Sequence, residues 1–177
     1  MKRFLLILFV LISVVAAGQT GELNFKLTKL TFSINKETIG TGWPLESFTS
    51  AIGAGARTRD GYNRTHSYDD LGIVLFEPSG KEGYSGQVSE IQLYFQPMER
   101  KEVTPKGLFA GSFTIDRLSL NAQTTLTMIR EALKGFDESK GYEDSIVRMA
   151  RGDYYLYFHF KEDGTLGKMS MGLVKNK

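Results

Sequence analysis

Apolar and polar residues follow two rhythms along this chain, and each rhythm comes round twice. From Leu30 to Ile34, and again from Phe113 to Leu120, apolar and polar residues alternate, which predicts strands with one buried face. Helical spacing follows in both places. Leu45, Phe48, Ala51 and Ile52, then Leu126, Ile129, Ala132 and Leu133, stand at i, i+3, i+6 and i+7, one stripe of a short amphipathic helix. Pro44 suits the first turn of the first helix and Gly53 its stop; Thr124 is the expected N-cap of the second and Gly135 its end. Two strand patterns close each unit: Leu71 to Phe76 with Val88 to Phe95, then Tyr154 to Phe160 with Leu166 to Val174. Ser145 to Met149 reads as an extra strand, and Glu162-Asp163-Gly164 as the turn of a hairpin.

The two units align with each other. Phe32-Ser33-Ile34-Asn35 matches Phe113-Thr114-Ile115-Asp116, and 113 less 32 is an offset of 81 residues. At that offset Ile39, Leu45, Phe48 and Ile52 meet Leu120, Leu126, Ile129 and Leu133, apolar on apolar throughout. The expectation is two tandem β-α-β-β repeats, residues 19–96 and 110–177, joined by a linker at 97–109 whose charged part runs from Pro97 to Lys106. One such unit cannot cover its own sheet. Two can share an antiparallel sheet with both helices on one face, an α+β fold.

This element order resembles the tandem-repeat secreted β-lactamase inhibitor proteins and the small outer-membrane-assembly lipoproteins of like shape, and no binding residue of either carries across. The segment Tyr68-Asp69-Asp70-Leu71-Gly72-Ile73 is similar to a motif of an uncharacterised exported bacterial family, in which it follows a helix and opens a strand. That likeness implies an α+β fold and export, and no mechanism.

The beginning of the chain bears on export directly. Lys2 and Arg3 form a positive n-region, Phe4 to Val15 an apolar core and Ala16-Ala17-Gly18 a small-residue cleavage site, which predicts a signal peptide over residues 1–18 cut before Gln19. The apolar run is short of the roughly 20 residues a membrane span needs. With no cysteine to carry a lipid, the expectation is a periplasmic or secreted bacterial protein without a membrane anchor, folded without disulfides. Removing Lys2 and Arg3 from the 22 basic residues leaves them level with the 20 acidic ones, so the basic balance belongs to the leader. A neutral chain offers no electrostatic case for nucleic acid. Arg57, Arg59 and Arg64, interrupted by Asp60, read as a solvated loop.

Candidate chemistry is sparse, and no cofactor is expected. His66 and His159 are the only histidines, and no serine sits in a strand-turn-helix elbow. His66, Asp69 and Asp70 are the one local set with metal-ligand chemistry, the basis of an alternative reading as a metal-dependent hydrolase. Adjacent residues of an extended chain point to opposite faces, so Asp69 and Asp70 cannot both join His66 without help.

The outward side of the sheet is more informative. If Ile73, Leu75, Ile91, Leu93, Tyr154, Leu156, Phe158, Met169 and Met171 face the helices, then Val74, Phe76, Tyr94, Tyr155, Tyr157 and His159 face away. A sheet face open to water should read polar, so an aromatic set there needs either a cover, such as the linker or the loop from Gly53 to His66, or a partner. Phe76, Tyr94, Tyr155, Tyr157 and His159 are therefore the candidate partner-binding residues of a non-enzymatic module, of inhibitor or immunity type. Trp43 reads as a packing staple ahead of the first helix. A structural envelope accessory protein is the remaining alternative.

Overall fold

The computed structural model describes residues 22–29, 31–53, 55–99, 102–140 and 145–174; the expected leader and its cleavage site lie outside them. In chain order the elements are β1 (Asn24–Leu27), β2 (Phe32–Ile34), β3 (Glu37–Thr38), α1 (Leu45–Ile52), β4 (Arg57–Arg59), β5 (Asn63–Tyr68), β6 (Ile73–Gly80), β7 (Gly83–Tyr84) and β8 (Glu90–Tyr94). They continue with β9 (Ser112–Ile115), β10 (Leu118–Leu120), α2 (Leu126–Ala132), β11 (Asp137–Lys140), β12 (Ile146–Arg151), β13 (Tyr154–Phe160) and β14 (Leu166–Leu173).

The fold is α+β, with two helices among the described residues and most of the regular structure in strands. A nine-stranded antiparallel sheet runs in the order β11-β12-β13-β14-β8-β6-β5-β4, with β7 paired to β6 off that path. The expected single sheet is in fact two. Strands β1, β2, β3, β9 and β10 stand apart from the large sheet and form a five-stranded one, β10-β9-β1-β2-β3, held across its middle by the parallel pair β1 and β9. The physical reason is coverage. Helices of eight and seven residues cannot seal the inner face of so wide a sheet. Phe25, Leu27, Phe32, Ile34, Phe113 and Ile115, each at most 1 % exposed, supply the rest.

One apolar cluster joins the small sheet, both helices and the inner face of the large sheet. Phe32 lies at its aromatic centre, with ring centroids 5.2 Å from Trp43, 6.1 Å from Phe48 and from Phe25, and 6.4 Å from Phe113. Trp43 is the staple expected of it, buried just ahead of α1.

Three local expectations need correcting. Phe113 to Leu120 is a hairpin, not one strand: it turns at Asp116, whose φ of 50° is left-handed. Asn35 turns the β2–β3 hairpin at the same φ. Aspartate and asparagine tolerate this region, so neither turn carries a glycine to betray it. The N-cap of α2 is Thr125, which accepts from the Met128 N–H at 3.4 Å. Thr124 is engaged elsewhere, its hydroxyl taking the Asn121 N–H and its carbonyl the Leu166 N–H. Pro44 is likewise the residue before α1 rather than within its first turn.

Candidate functional site

Pairing in the large sheet sets which side chains share its outer face. Tyr155 lies level with Gly172, and Gly172 with Glu90, across β13, β14 and β8. Tyr157, Ser170, Gln92 and Val74 make the next row, and His159, Lys168 and Tyr94 the one beyond. Phe76 extends the Glu90 row onto β6. All five candidate residues thus stand on one face, as alternation predicts, while Ile73, Leu75, Leu156, Phe158, Met169 and Met171 are fully buried on the other.

Half of that face is covered. The segment expected to be a linker runs back over β5, β6 and β8, and Arg57 is its clamp. The Arg57 guanidinium donates to Asp69 Oδ2 at 3.1 Å and Oδ1 at 3.0 Å, and to the carbonyls of Glu102 at 2.8 Å and Thr104 at 3.4 Å. Its hydrogen bonds hold the Asp69 carboxyl below the ordinary aspartate range. Ser67 Oγ donates to the Val103 carbonyl, Gly107 N–H to Asp69 O and Phe109 N–H to Tyr94 O. Arg59 pairs with Glu102 and Arg64 with Asp60, so the basic stretch expected to be a solvated loop is strand and anchor. Under this cover Val74 is 0 % and Tyr94 5 % exposed.

The β12–β13–β14 half is built differently. Tyr155 and Tyr157 are half-buried and meet edge to face, with centroids 5.5 Å apart. Tyr155 donates to Glu90 Oε2 at 3.1 Å, Gln92 Nε2 to Glu90 Oε1 at 2.7 Å, and Tyr94 Oη to Gln92 Oε1 at 3.0 Å. Lys168 Nζ reaches Gln92 Oε1 at 3.5 Å and lies 5.5 Å from the Tyr94 ring centroid. Burial, and then the neighbouring Glu90 carboxylate, push the Tyr155 phenol well above its usual range, so it stays a neutral donor. His159 is 9 % exposed, and burial, with Lys168 opposite it, pushes its pKa down to about 4.

Beside the tyrosine pair lies a cleft of about 340 Å³ lined by Ser89, Arg148, Tyr155, Tyr157, Leu173 and Val174. The cross-strand pairing that brings Glu90, Gln92, Arg148, Lys168 and Gly172 to the tyrosines was not legible beforehand. Arg148 shares its face of β12 with the apolar Ile146 and Ala150, so its own strand pattern gave no signal of it.

The set His66, Asp69, Asp70 does not assemble. His66 Nε2 lies 3.0 Å from Glu77 Oε2 in a buried pair on the inward side, Asp69 faces Arg57, and Asp70 is exposed in the turn. Among the described residues no three His, Asp or Glu side chains converge as a metal site. Sequence reasoning missed Glu77, whose other oxygen accepts the Gly86 N–H at 2.7 Å and pins the loop that hydrogen-bonds the start of α1.

No curated protein matches this chain. Among solved structures, it is similar to a DUF4309 family protein (YjgB) from Bacillus subtilis, at 16% identity and a TM-score of 0.40, covering 79% of this chain and 80% of that one. It is also similar to a cysteine-rich secretory protein from Staphylococcus aureus, at 14% identity and a TM-score of 0.38, covering 79% of this chain and 47% of that one. Residues 24–130, which hold the small sheet, α1, the linker segment and the first half of the large sheet, match the model of the domain of unknown function DUF7738, and the chain belongs to that family.

Proposed function

We propose that this protein is an exported binding module that holds a protein partner, in the manner of an inhibitor or immunity protein, on the uncovered part of its outer sheet face around Tyr155 and Tyr157. One observation carries the reading. The linker seals the Tyr94 side of the face but leaves a half-buried, mutually packed tyrosine pair beside a cleft, with Tyr155 held in place by Glu90. Tyrosines restrained before a partner arrives lose little entropy on binding, and they combine apolar area with a polar tip. Export rests on the positive, apolar and small-residue parts of the first eighteen residues.

Two measurements test this. Mass spectrometry of the protein from its native host should find a mature chain beginning at Gln19. A photo-crosslinking residue at position 157 should then give a discrete crosslinked protein species that the Tyr155→Ala variant loses. An identical species at identical yield from that variant, with its fold intact by circular dichroism, would sink the reading.

A further inference from the structure

We infer that the cleft beside Tyr157 receives an aspartate or glutamate side chain of the protein partner, gripped by the Arg148 guanidinium. This deepens the reading of the outer face as a partner surface and rests on it.

Arg57, Arg64, Arg130 and Arg151 each place two guanidinium nitrogens on one carboxylate, those of Asp69, Asp60, Glu138 and Asp116. Arg148 is half-buried on β12 opposite Tyr157, and its guanidinium has no hydrogen bond or ion pair among the described residues. The cleft's other side-chain groups are in part committed internally: Tyr155 donates to Glu90, and Ser89 Oγ donates to the Phe76 carbonyl. Glu90 accepts from Tyr155 and from Gln92, and no ion pair joins it to Arg148 among the described residues. A planar cation is therefore left beside two aromatic rings. Such a fork matches a carboxylate and pairs with it in two parallel hydrogen bonds, more strongly where water is partly excluded.

The surroundings favour a side chain over a free small acid. A space of about 340 Å³ is more than one carboxylate fills, and Tyr155, Tyr157, Leu173 and Val174 offer apolar wall for a methylene stem and flanking residues. The hydroxyl of Tyr155, kept neutral by burial, adds no charge that would repel the incoming group.

The test is a titration of isotope-labelled protein followed at the Arg148 Nε–Hε resonance and, for comparison with variants at position 148, at the backbone amide resonances of Tyr155 and Tyr157. The probes are a capped Ala-Leu-Glu-Leu-Ala peptide, its glutamine counterpart and free succinate. The glutamate peptide should shift the resonance, the glutamine peptide should bind about tenfold or more weaker, and succinate weaker than the glutamate peptide. Read at the backbone amides of Tyr155 and Tyr157, Arg148→Gln should abolish binding of the glutamate peptide and Arg148→Lys should weaken it, each with an unchanged urea midpoint. No shift with the glutamate peptide, equal binding of the two peptides, or full retention in Arg148→Lys overturns the inference. Succinate binding as tightly as the glutamate peptide overturns the side-chain source and assigns a small-acid site instead. Crosslinking at position 157 separates the two failures. A crosslinked species that needs Tyr155 but is indifferent to Arg148→Gln leaves the face reading standing without this inference.

Discussion

Tyr155 lies across Gly172 and donates its hydroxyl hydrogen to Glu90 Oε2 at 3.1 Å, so one side chain of β13 spans β14 and closes on β8. A Cβ at position 172 would collide with the Tyr155 hydroxyl and ring and with the Ser89 carbonyl. Gly172 is thus the floor that lets the tyrosine lie flat, and the requirement is for space rather than for an unusual backbone.

Gly172→Ala should therefore displace Tyr155, break its hydrogen bond to Glu90 and cost about 2 kcal/mol in urea unfolding, the usual penalty of overpacking. Because the clash is largely with that ring, adding Tyr155→Ala should cost much less than Tyr155→Ala does alone. Costs that simply add would show the two residues to be uncoupled.

The stretch from Tyr68 to Ile73 turns out to be the seat of the linker. Gly72 has φ +66°, and a Cβ there would run into the backbone of Leu108 and Phe109, while the Gly107 N–H reaches Asp69 O at 2.6 Å. Gly72→Ala combines backbone strain with a clash that no side chain can relieve. It should cost more than about 2 kcal/mol and open the segment from Pro97 to Lys106 to limited proteolysis. Gly152→Ala is the control: φ is +57° but nothing lies within 4 Å, so only about 1 kcal/mol should be lost, with the linker still protected.

These positions show what was legible in the sequence and why. The inward residues of β6, β8, β13 and β14 alternate cleanly because one side faces a continuous apolar cluster, and the helices carry a clear stripe. The candidate aromatics fell on a common face for the same reason. Strands β4, β5 and β11 escaped notice because their sequences, Arg57-Thr58-Arg59, Asn63 to Tyr68 and Asp137 to Lys140, have no apolar alternation; β4 and β5 are held by pairing and by polar contacts with the linker, and β11 by its pairing with β12 and the Glu138 contact with Arg130 of α2. The second sheet was hidden because periodicity states that a strand has a buried side, not which sheet it joins. The same limit applies to the site: Glu90 and Tyr155 lie 65 residues apart, and only the register of β8, β14 and β13 brings them together.

Arg151 ties the two sheets together. Its guanidinium holds Asp116 in the turn of the small sheet's β9–β10 hairpin, at 2.7 and 3.2 Å, and lies 4.0 Å from the Phe136 ring centroid. Arg151→Lys keeps the charge but loses the fork and the stacked plane, and should cost about 1 kcal/mol. If the lysine variant unfolds at the wild-type urea midpoint, the contact contributes nothing beyond its charge.

His159 makes stability depend on pH in a definite direction. Buried opposite Lys168, it stays neutral in the folded protein until about pH 4, whereas in the unfolded chain it takes up a proton near its ordinary value of 6.5. Between those values the unfolded state binds more protons, so this contribution is complete above about pH 6.5 and is lost as pH falls toward 4. At about 1.4 kcal/mol for each pH unit, the loss attributable to His159 at pH 5 should be about 2 kcal/mol. Carboxylates such as Asp69 and Asp116, held below their usual range by arginine partners, give a loss of the same sign at lower pH, so the wild-type curve alone does not isolate the histidine. His159→Gln does. Its urea midpoint should change less between pH 7 and pH 5 than that of the wild type, and equal pH slopes for the two proteins would show that His159 is not buried as a neutral ring.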